Sequence, residues 1–505
     1  MSLASTDLVM AGSKPGALSV SDIDNVDVEH RTLRNLVELR EQLAAACVLL
    51  VLVVAKLALL LWDPQVRLFM GDSATFLFSA ISHATPPDRS FTYPMLVDQS
   101  AGRSGSLISL LLMQSAFGIV AAAALYAMLR SAFGVRRWLA AFAAVVLALD
   151  PSQLFYERMI LTETTSTLCL LICVWMTLGY LRTGAFVRLI FCAVFGTVLA
   201  SLRIGMVPVA MSLAPLAPVL VFVLRGRPGV PRVAWQRLGA HFLAALLVTV
   251  FCHHEYKAWY GQRTGSAPTY LLDSGIFRLG LVVPLVKPEH FAGTGVSSDV
   301  LDEVTRPLAD PRQREAHIWA PDGLVAVLRR HAGERARDVA ATVAARAIAD
   351  DPFGLVRLGL ATFGDYFEPW LWKQRLRSDL GYGELPDART EALLRERFHY
   401  ALGEVASTPT PVATYFERGA LWLVVCLFAL LPAAVFMLVR LWRTRPGPAV
   451  LVALLAAGLV AGELLCAHIV SFRYLHPLPP LFLLCIAAAL DRVLPKRVPA
   501  AALAR

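Results

Sequence analysis

The sequence predicts an all-α polytopic membrane protein: about ten spanning helices, both termini in the cytoplasm, and one large, mainly helical extracytoplasmic segment. Three observations lead there. Of 505 residues, 57% are hydrophobic and only 17% charged, where soluble chains carry about a quarter charged residues. Apolar runs recur that are long enough to cross a bilayer, which takes roughly 20 residues. Arginines crowd alternate connections between those runs, and the positive-inside rule reads such connections as cytoplasmic. The net charge of +9 then needs no nucleic-acid partner, because cytoplasmic arginines beside anionic headgroups account for much of it.

In chain order, residues 1–42 form a polar cytoplasmic tail without a cleavable signal-peptide pattern, ending in a short amphipathic helix (RTLRNLVELREQL). Residues 43–254 hold seven spans, near 43–62, 104–129, 138–153, 163–181, 186–201, 205–224 and 238–254. Residues 255–415 are the extracytoplasmic segment. Residues 416–505 add spans near 416–439, 448–469 and 475–491 and a cytoplasmic tail. The third and fifth stretches are short, so nine to eleven crossings fit the pattern. Orientation rests on Arg130, Arg136 and Arg137; Arg182 and Arg188; Arg225, Arg227, Arg232 and Arg237; Arg440, Arg443 and Arg445; and Lys496, Arg497 and Arg505. No internal repeat or inverted pair of broken helices is visible.

The extracytoplasmic segment opens on an irregular Gly- and Pro-rich part (TGSAPTYLLDSGIFRLGLVVPLVKPEHFAGTG). Helical patterns follow in SSDVLDEVTRPL and in PDGLVAVLRRHAGERARDVAATVAARAIAD, where Pro321 and Asp322 are start signals. DPFGLVRLGLATFGDYFEPWLW reads as an interfacial helix on the outer leaflet. Its Phe367, Trp370 and Trp372 are either plain interface anchors or sugar-stacking rings.

Polar residues near a bilayer are costly and invite a functional reading. Three outer clusters stand out. Asp72, in RLFMGDSATFLFSAI after the first span, is either a helix N-cap or a base. In DPSQLFYERMILTE, Tyr156 and Glu157 are candidates to bind substrate, with Glu157–Arg158 as a solvated pair the plain alternative. Glu163 is either a dipole-stabilised helix start or a group facing a substrate cavity. In AGELLCAHIVSFRYLHPLPP, Arg473 offers the paired donors that suit phosphate, or reaches for lipid headgroups; Tyr474 and His476 accompany it. Arg203 is a second external cation. Lys56 either snorkels or neutralises a phosphate.

The eight cysteines all fall within or at the ends of spans, so no disulfide and no thiol-bound metal is expected. One helical turn separates Cys169 from Cys173, which close helix packing explains. His253, His254 and Glu255 make only a weak metal patch, because adjacent helical histidines point apart and a site needs at least three convergent ligands.

An external Asp after the first span, an acid-bearing P…YE…LTE turn and an RYLHP turn before the last span resemble GT-C type membrane glycosyltransferases. These include protein O-mannosyltransferases and lipid A aminoarabinose transferases. The resemblance covers the first seven spans and the last hairpin, and the ADDPFGLVRLGLATF pattern looks like a helix common in bacterial relatives. It implies a GT-C-like core over 43–254 that carries the catalytic first external loop. It also implies a polyprenyl-phosphate-linked sugar as donor, an acceptor hydroxyl on a glycan, lipid or protein, and an active site on the outer face of the bacterial inner membrane. Carried over residue by residue, it makes Asp72 the catalytic carboxylate and extends to Glu163 and to Arg473 for the donor phosphate; Arg203 and Lys56 join Arg473 as phosphate candidates by their own charge and position. Gly71-Asp72-Ser73 stands where protein mannosyltransferases carry an Asp-Glu pair. A phosphate monoester leaving group requires no metal, so neither a metal nor another cofactor is expected. A lipid-linked-sugar flippase and a polysaccharide polymerase or ligase are the competing readings. A flippase would want charges at mid-membrane and often a repeat, whereas these candidates lie at outer span ends.

Overall fold

The computed structural model of the chain describes residues 20–381, 387–401 and 409–495, with side chains from residue 39 on, Met70 excepted. Residues 1–51 form one unit and residues 52–505 another; every candidate site residue belongs to the second. The expected tail residues before 20 and the closing basic residues Lys496, Arg497 and Arg505 lie outside the described part, as do stretches 382–386 and 402–408 of the segment 255–415.

Among the described residues no strand forms; an isolated parallel bridge joins Arg67 and Met159. Helices joined by turns and loops make up the rest. The main ones are α1 (Val20–Trp62), α2 (Met70–Ser82), α3 (Leu107–Met128), α4 (Arg137–Ala148), α5 (Pro151–Tyr156) and α6 (Glu163–Thr183). Then come α7 (Val187–Leu202), α8 (Val207–Val223), α9 (Trp235–Thr264), α10 (Ser274–Val282), α11 (Leu324–Ala332) and α12 (Ala336–Asp350). The last are α13 (Pro352–Asp365), α14 (Pro369–Asp379), α15 (Leu421–Leu441), α16 (Pro446–Cys466), α17 (Phe472–Leu475) and α18 (Leu478–Val493). Eight described helical stretches are long and apolar enough to cross a membrane. The chain is thus an all-α polytopic membrane protein.

Two of the ten expected stretches are shorter helices, α4 and α7. In α4 the cause is local. Asp150 accepts from the backbone N–H of Ser152 (2.9 Å) and Gln153 (3.1 Å), with Pro151 in the first turn. That pair of signals stops one helix and starts the next. At 1.5 Å per residue, its 12 residues reach only about 18 Å.

Further differences have similar causes. RTLRNLVELREQL is not a separate short helix but part of the continuous 43-residue α1. The seventh span runs on as helix to Thr264. The expected irregular opening of the segment 255–415 contains α10, and SSDVLDEVTRPL forms only a 3₁₀ turn at Ser298–Leu301. The helix expected from Pro321 starts at Leu324 and breaks at Gly333, whose φ is +54°, before α12. DPFGLVRLGLATFGDYFEPWLW is two helices, α13 and α14. Pro369, at the start of α14, cannot donate a helical hydrogen bond, and the residue before it is pushed off α conformation; Glu368 has ψ 96°.

The segment 255–415 has its own apolar core, built from Leu279, Val283, Phe291, Leu324, Leu328, Val343 and neighbours. α6 is the most enclosed of the candidate spans, 83% of its apolar window being buried. It packs on α3 and α7, and its first turns carry buried Glu163, Thr164, Thr165, Ser166 and Thr167. The arginine-rich connections gather at one end of the helices. There Arg445 donates to the Ala132 carbonyl (2.7 Å), Arg492 to that of Phe133 (3.3 Å), and the Arg136 N–H to Asp491 (2.9 Å). The other connections gather at the opposite end and form the site.

Candidate functional site

Four separate parts of the sequence meet at Asp72. The first is α2 itself. Phe69 is its N-cap and gives no side-chain cap. Ser73 anchors the start instead: its Oγ accepts from the Phe69 N–H (2.8 Å) and donates to the Ile160 carbonyl (3.0 Å). Asp72 lies inside the first turn, so the N-cap alternative falls. Its carboxylate is spent on two guanidiniums. Oδ2 accepts from Arg473 Nη1 at 2.8 Å, and Oδ1 pairs with Arg89 Nη2. Burial pushes the Asp72 carboxyl up, but Arg89 and then Arg473 outweigh burial and hold it down at about 2.

Arg89 comes from the loop after α2. Its Nη1 also lies 3.3 Å from Asp88, and its guanidinium faces the rings of Phe277 and Trp319, each 5.8 Å from the ring centre. Arg473 comes from α17. Its Nε lies 3.3 Å from Glu163 Oε1, an ion pair outside hydrogen-bond geometry, and its guanidinium stands 4.7 Å from the centre of the Phe69 ring. Glu163 opens α6, so the helix-dipole reading and the ion pair hold together. Both of its carboxylate oxygens lack hydrogen-bond partners.

α17 is only four residues long, and its neighbours fix it. Asp379, at the end of α14, accepts from the Phe472 N–H (2.8 Å) and the Ser471 hydroxyl (3.0 Å). Burial raises the Asp379 carboxyl to about 6, against the pull of Arg375. Tyr366, just after α13, accepts from the Ser471 N–H (3.2 Å), with Glu463 Oε1 3.1 Å from its hydroxyl. Arg203, between α7 and α8, places both terminal nitrogens 3.2 Å from the Arg473 carbonyl and faces the Tyr474 ring at 5.8 Å.

Of the residues expected from the sequence, Asp72, Glu163, Arg473, Arg203 and Tyr474 are thus brought together. Tyr156 and His476 form an adjoining buried layer. Their rings meet edge-on at 4.9 Å, His476 Nδ1 lies 3.0 Å from Thr167 Oγ1, and the Tyr156 hydroxyl is buried without a partner.

Lys56 and Glu157 behave otherwise. Lys56 does not snorkel: its Nζ meets Glu157 Oε1 at 2.6 Å, with the two side chains 2% and 0% exposed. Gln153 Nε2 donates to the same oxygen at 2.8 Å. Nor is Glu157–Arg158 a solvated pair, since Arg158 is buried and gives its donors to the carbonyls of Asp63, Leu154 and Leu59. The gain for these two charges is mutual pairing inside protein, which the sequence, read residue by residue, does not display.

His253 is buried against Tyr270 while His254 is exposed, so they diverge. Among the described residues no group of three or more His, Cys, Asp or Glu is placed to hold a metal ion. Phe367 stacks on Phe428 of α15 at 4.4 Å, whereas Trp372 meets Phe472 edge-on at 6.1 Å, beside the Arg473 turn.

Sequence reasoning missed Arg89, Asp379 and Tyr366. A signal existed for the first: PPDRSFTYP is a proline-stiffened loop on the same side as Asp72. The chain matches no protein-family model and no curated protein.

Proposed function

We propose that the protein is a GT-C-like membrane glycosyltransferase that moves a sugar from a polyprenyl-phosphate donor to an acceptor hydroxyl. One observation carries this reading: Asp72, Glu163, Arg473, Arg203 and Arg89, from four connections distant in sequence, converge at the end of the helices opposite the arginine-rich turns. Such a site suits a substrate whose charged headgroup emerges from lipid while its tail stays in it.

On this reading the acceptor oxygen attacks the anomeric carbon. The new C–O bond forms as the bond from that carbon to the phosphate oxygen breaks, and configuration inverts. Asp72 takes the hydroxyl proton as general base. The departing polyprenyl phosphate keeps the bonding electron pair, and its charge is met by Arg473 and its neighbours. No step is routed through a metal or another cofactor. α4 and α7 complete ten crossings, thinning the membrane locally or leaning on the longer helices. The division at 42/43, 254/255 and 415/416, the cytoplasmic termini and a site facing the outside of a bacterial inner membrane belong to the same proposal.

The test is incubation of the purified chain with radiolabelled polyprenyl-phosphate sugars and candidate acceptors. Sugar transfer, or release of free sugar and polyprenyl phosphate, supports the proposal. Movement of intact donor across vesicles without chemistry would replace it with a flippase.

A further inference from the structure

We propose that Arg89 and Arg473 form a two-guanidinium clamp for the phosphate of the donor and of the polyprenyl phosphate that departs from it, and that in the empty protein the Asp72 carboxylate occupies it. This rests on the glycosyltransferase reading and adds a ligand, Arg89, and an order of events: the phosphate must displace Asp72 before Asp72 can act.

The geometry argues for exchange rather than a permanent pair. Asp72 gives one carboxylate oxygen to each guanidinium, Oδ1 to Arg89 and Oδ2 to Arg473. The donor's phosphodiester presents the same single charge and two free oxygens to the same two forks, and the second charge that develops as it departs as a monoester tightens the hold, so it can take the carboxylate's place. Each arginine also has a second acid behind it. Asp88 stands 3.3 Å from Arg89 and Glu163 stands 3.3 Å from Arg473. Both guanidiniums therefore stay charged and in place when Asp72 lets go. Arg203 and Asp379 hold the α17 backbone, not the guanidinium, so Arg473 can change its acid without moving its helix. The trio is also reachable: Asp72 is 12% exposed, and Arg89 and Arg473 are 19% exposed, against 2% and 0% for Lys56 and Glu157.

Exchange also removes a conflict. A carboxylate held at about 2 is a poor proton acceptor near neutral pH, since efficient general bases titrate near the working pH. Once phosphate draws off both guanidiniums, its own negative charge raises the proton affinity of the freed Asp72. The base then becomes competent only when donor is bound, and water is not activated in an empty site.

The test is equilibrium binding of farnesyl monophosphate to the full-length chain in detergent, with thermal unfolding of each variant measured alongside. A clamp free one-tenth of the time loses tenfold in apparent affinity. Asp72→Asn should therefore bind farnesyl monophosphate roughly tenfold more tightly than the wild type. Asp72→Ser serves as a second neutral variant should the first not fold, and Asp72→Glu should bind like the wild type. Arg89→Gln should bind more weakly. Equal or weaker binding by both folded neutral variants would overturn the exchange, and unchanged binding by Arg89→Gln would remove Arg89 as a ligand. A gain that appears equally with phosphatidylglycerol or inorganic phosphate would assign the clamp to anions in general and overturn the proposal. Failure of every folded form to bind farnesyl monophosphate would instead sink the glycosyltransferase reading beneath it.

Discussion

Arg473 reaches Asp72 across 401 positions of the chain, with Nη1 2.8 Å from Oδ2. The contact ties the last turn before α18 to the first turn after α1. It places a guanidinium where a carboxylate alone would have marked a helix start.

Arg473→Lys keeps the charge but loses the planar fork that contacts Asp72 and Glu163 together. Losing a charge-assisted hydrogen bond costs on the order of 1.5–3 kcal/mol, so affinity for a polyprenyl-phosphate donor should fall by roughly ten- to a hundredfold. Titration of donor against wild type and variant checks this. Unchanged affinity in Arg473→Ala would return the residue to the role of a surface anchor.

Lys56 and Glu157 stabilise the fold only as a pair. Breaking a buried ion pair from one side typically costs about 3–5 kcal/mol, whereas replacing both partners with apolar groups is far milder. Lys56→Met should therefore lower thermal stability sharply, and Lys56→Met with Glu157→Leu should recover much of the loss. A double variant no more stable than the single one would show that Glu157 is held by Gln153 rather than by Lys56.

Asp379 links stability to pH in the direction opposite to an ordinary salt-bridged acid. Its folded-state value of about 6 lies above the usual 3.8, so the folded protein binds the proton more tightly than the unfolded chain. That contribution is complete below about pH 4 and is lost as pH rises through 6, amounting to at most about 3 kcal/mol for a shift of this size. Thermal unfolding between pH 5 and pH 7.5 should show the wild type losing stability over this range, and Asp379→Asn should flatten the slope. A wild-type slope retained in the variant would assign the titration to another group.

Orientation is tested apart from chemistry. Asp299 is exposed in the segment 255–415, which the proposed orientation puts outside. In a variant without the exposed thiols Cys47 and Cys466, Asp299→Cys should react with an impermeant thiol reagent in intact cells. Labelling only after lysis would reverse the orientation and with it the outward-facing site.

The membrane class and nearly every long helix were legible in the sequence, because apolar length and arginine asymmetry are local properties of the chain. The shortness of α4 was legible in its brief apolar run, but the expected stretch runs on to 153, past the Asp150-Pro151 signal that ends it. Partner choice was not. Asp72 next to Ser-Ala-Thr-Phe looks like a cap, and only the fold brings Arg89 and Arg473 to it. Lys56 looked free to snorkel because Glu157 lies 101 residues away. Asp379 and Tyr366 escaped notice because much of what they hold is the backbone of Ser471 and Phe472, and no side-chain pattern records such bonds. The candidate site could thus be listed from the sequence, but which acid answers which arginine could not.

The most direct measurement is turnover of a radiolabelled polyprenyl-phosphate sugar by Asp72→Asn beside the wild type, with the folded fraction of each preparation fixed by thermal unfolding. A positioned general base contributes roughly 10²–10⁴-fold in rate. The account predicts that Asp72→Asn folds and binds the donor, yet transfers sugar more slowly by a factor in that range. Transfer by the folded variant at close to the wild-type rate would contradict it, removing Asp72 from the chemistry and leaving Glu163 as the acid to test.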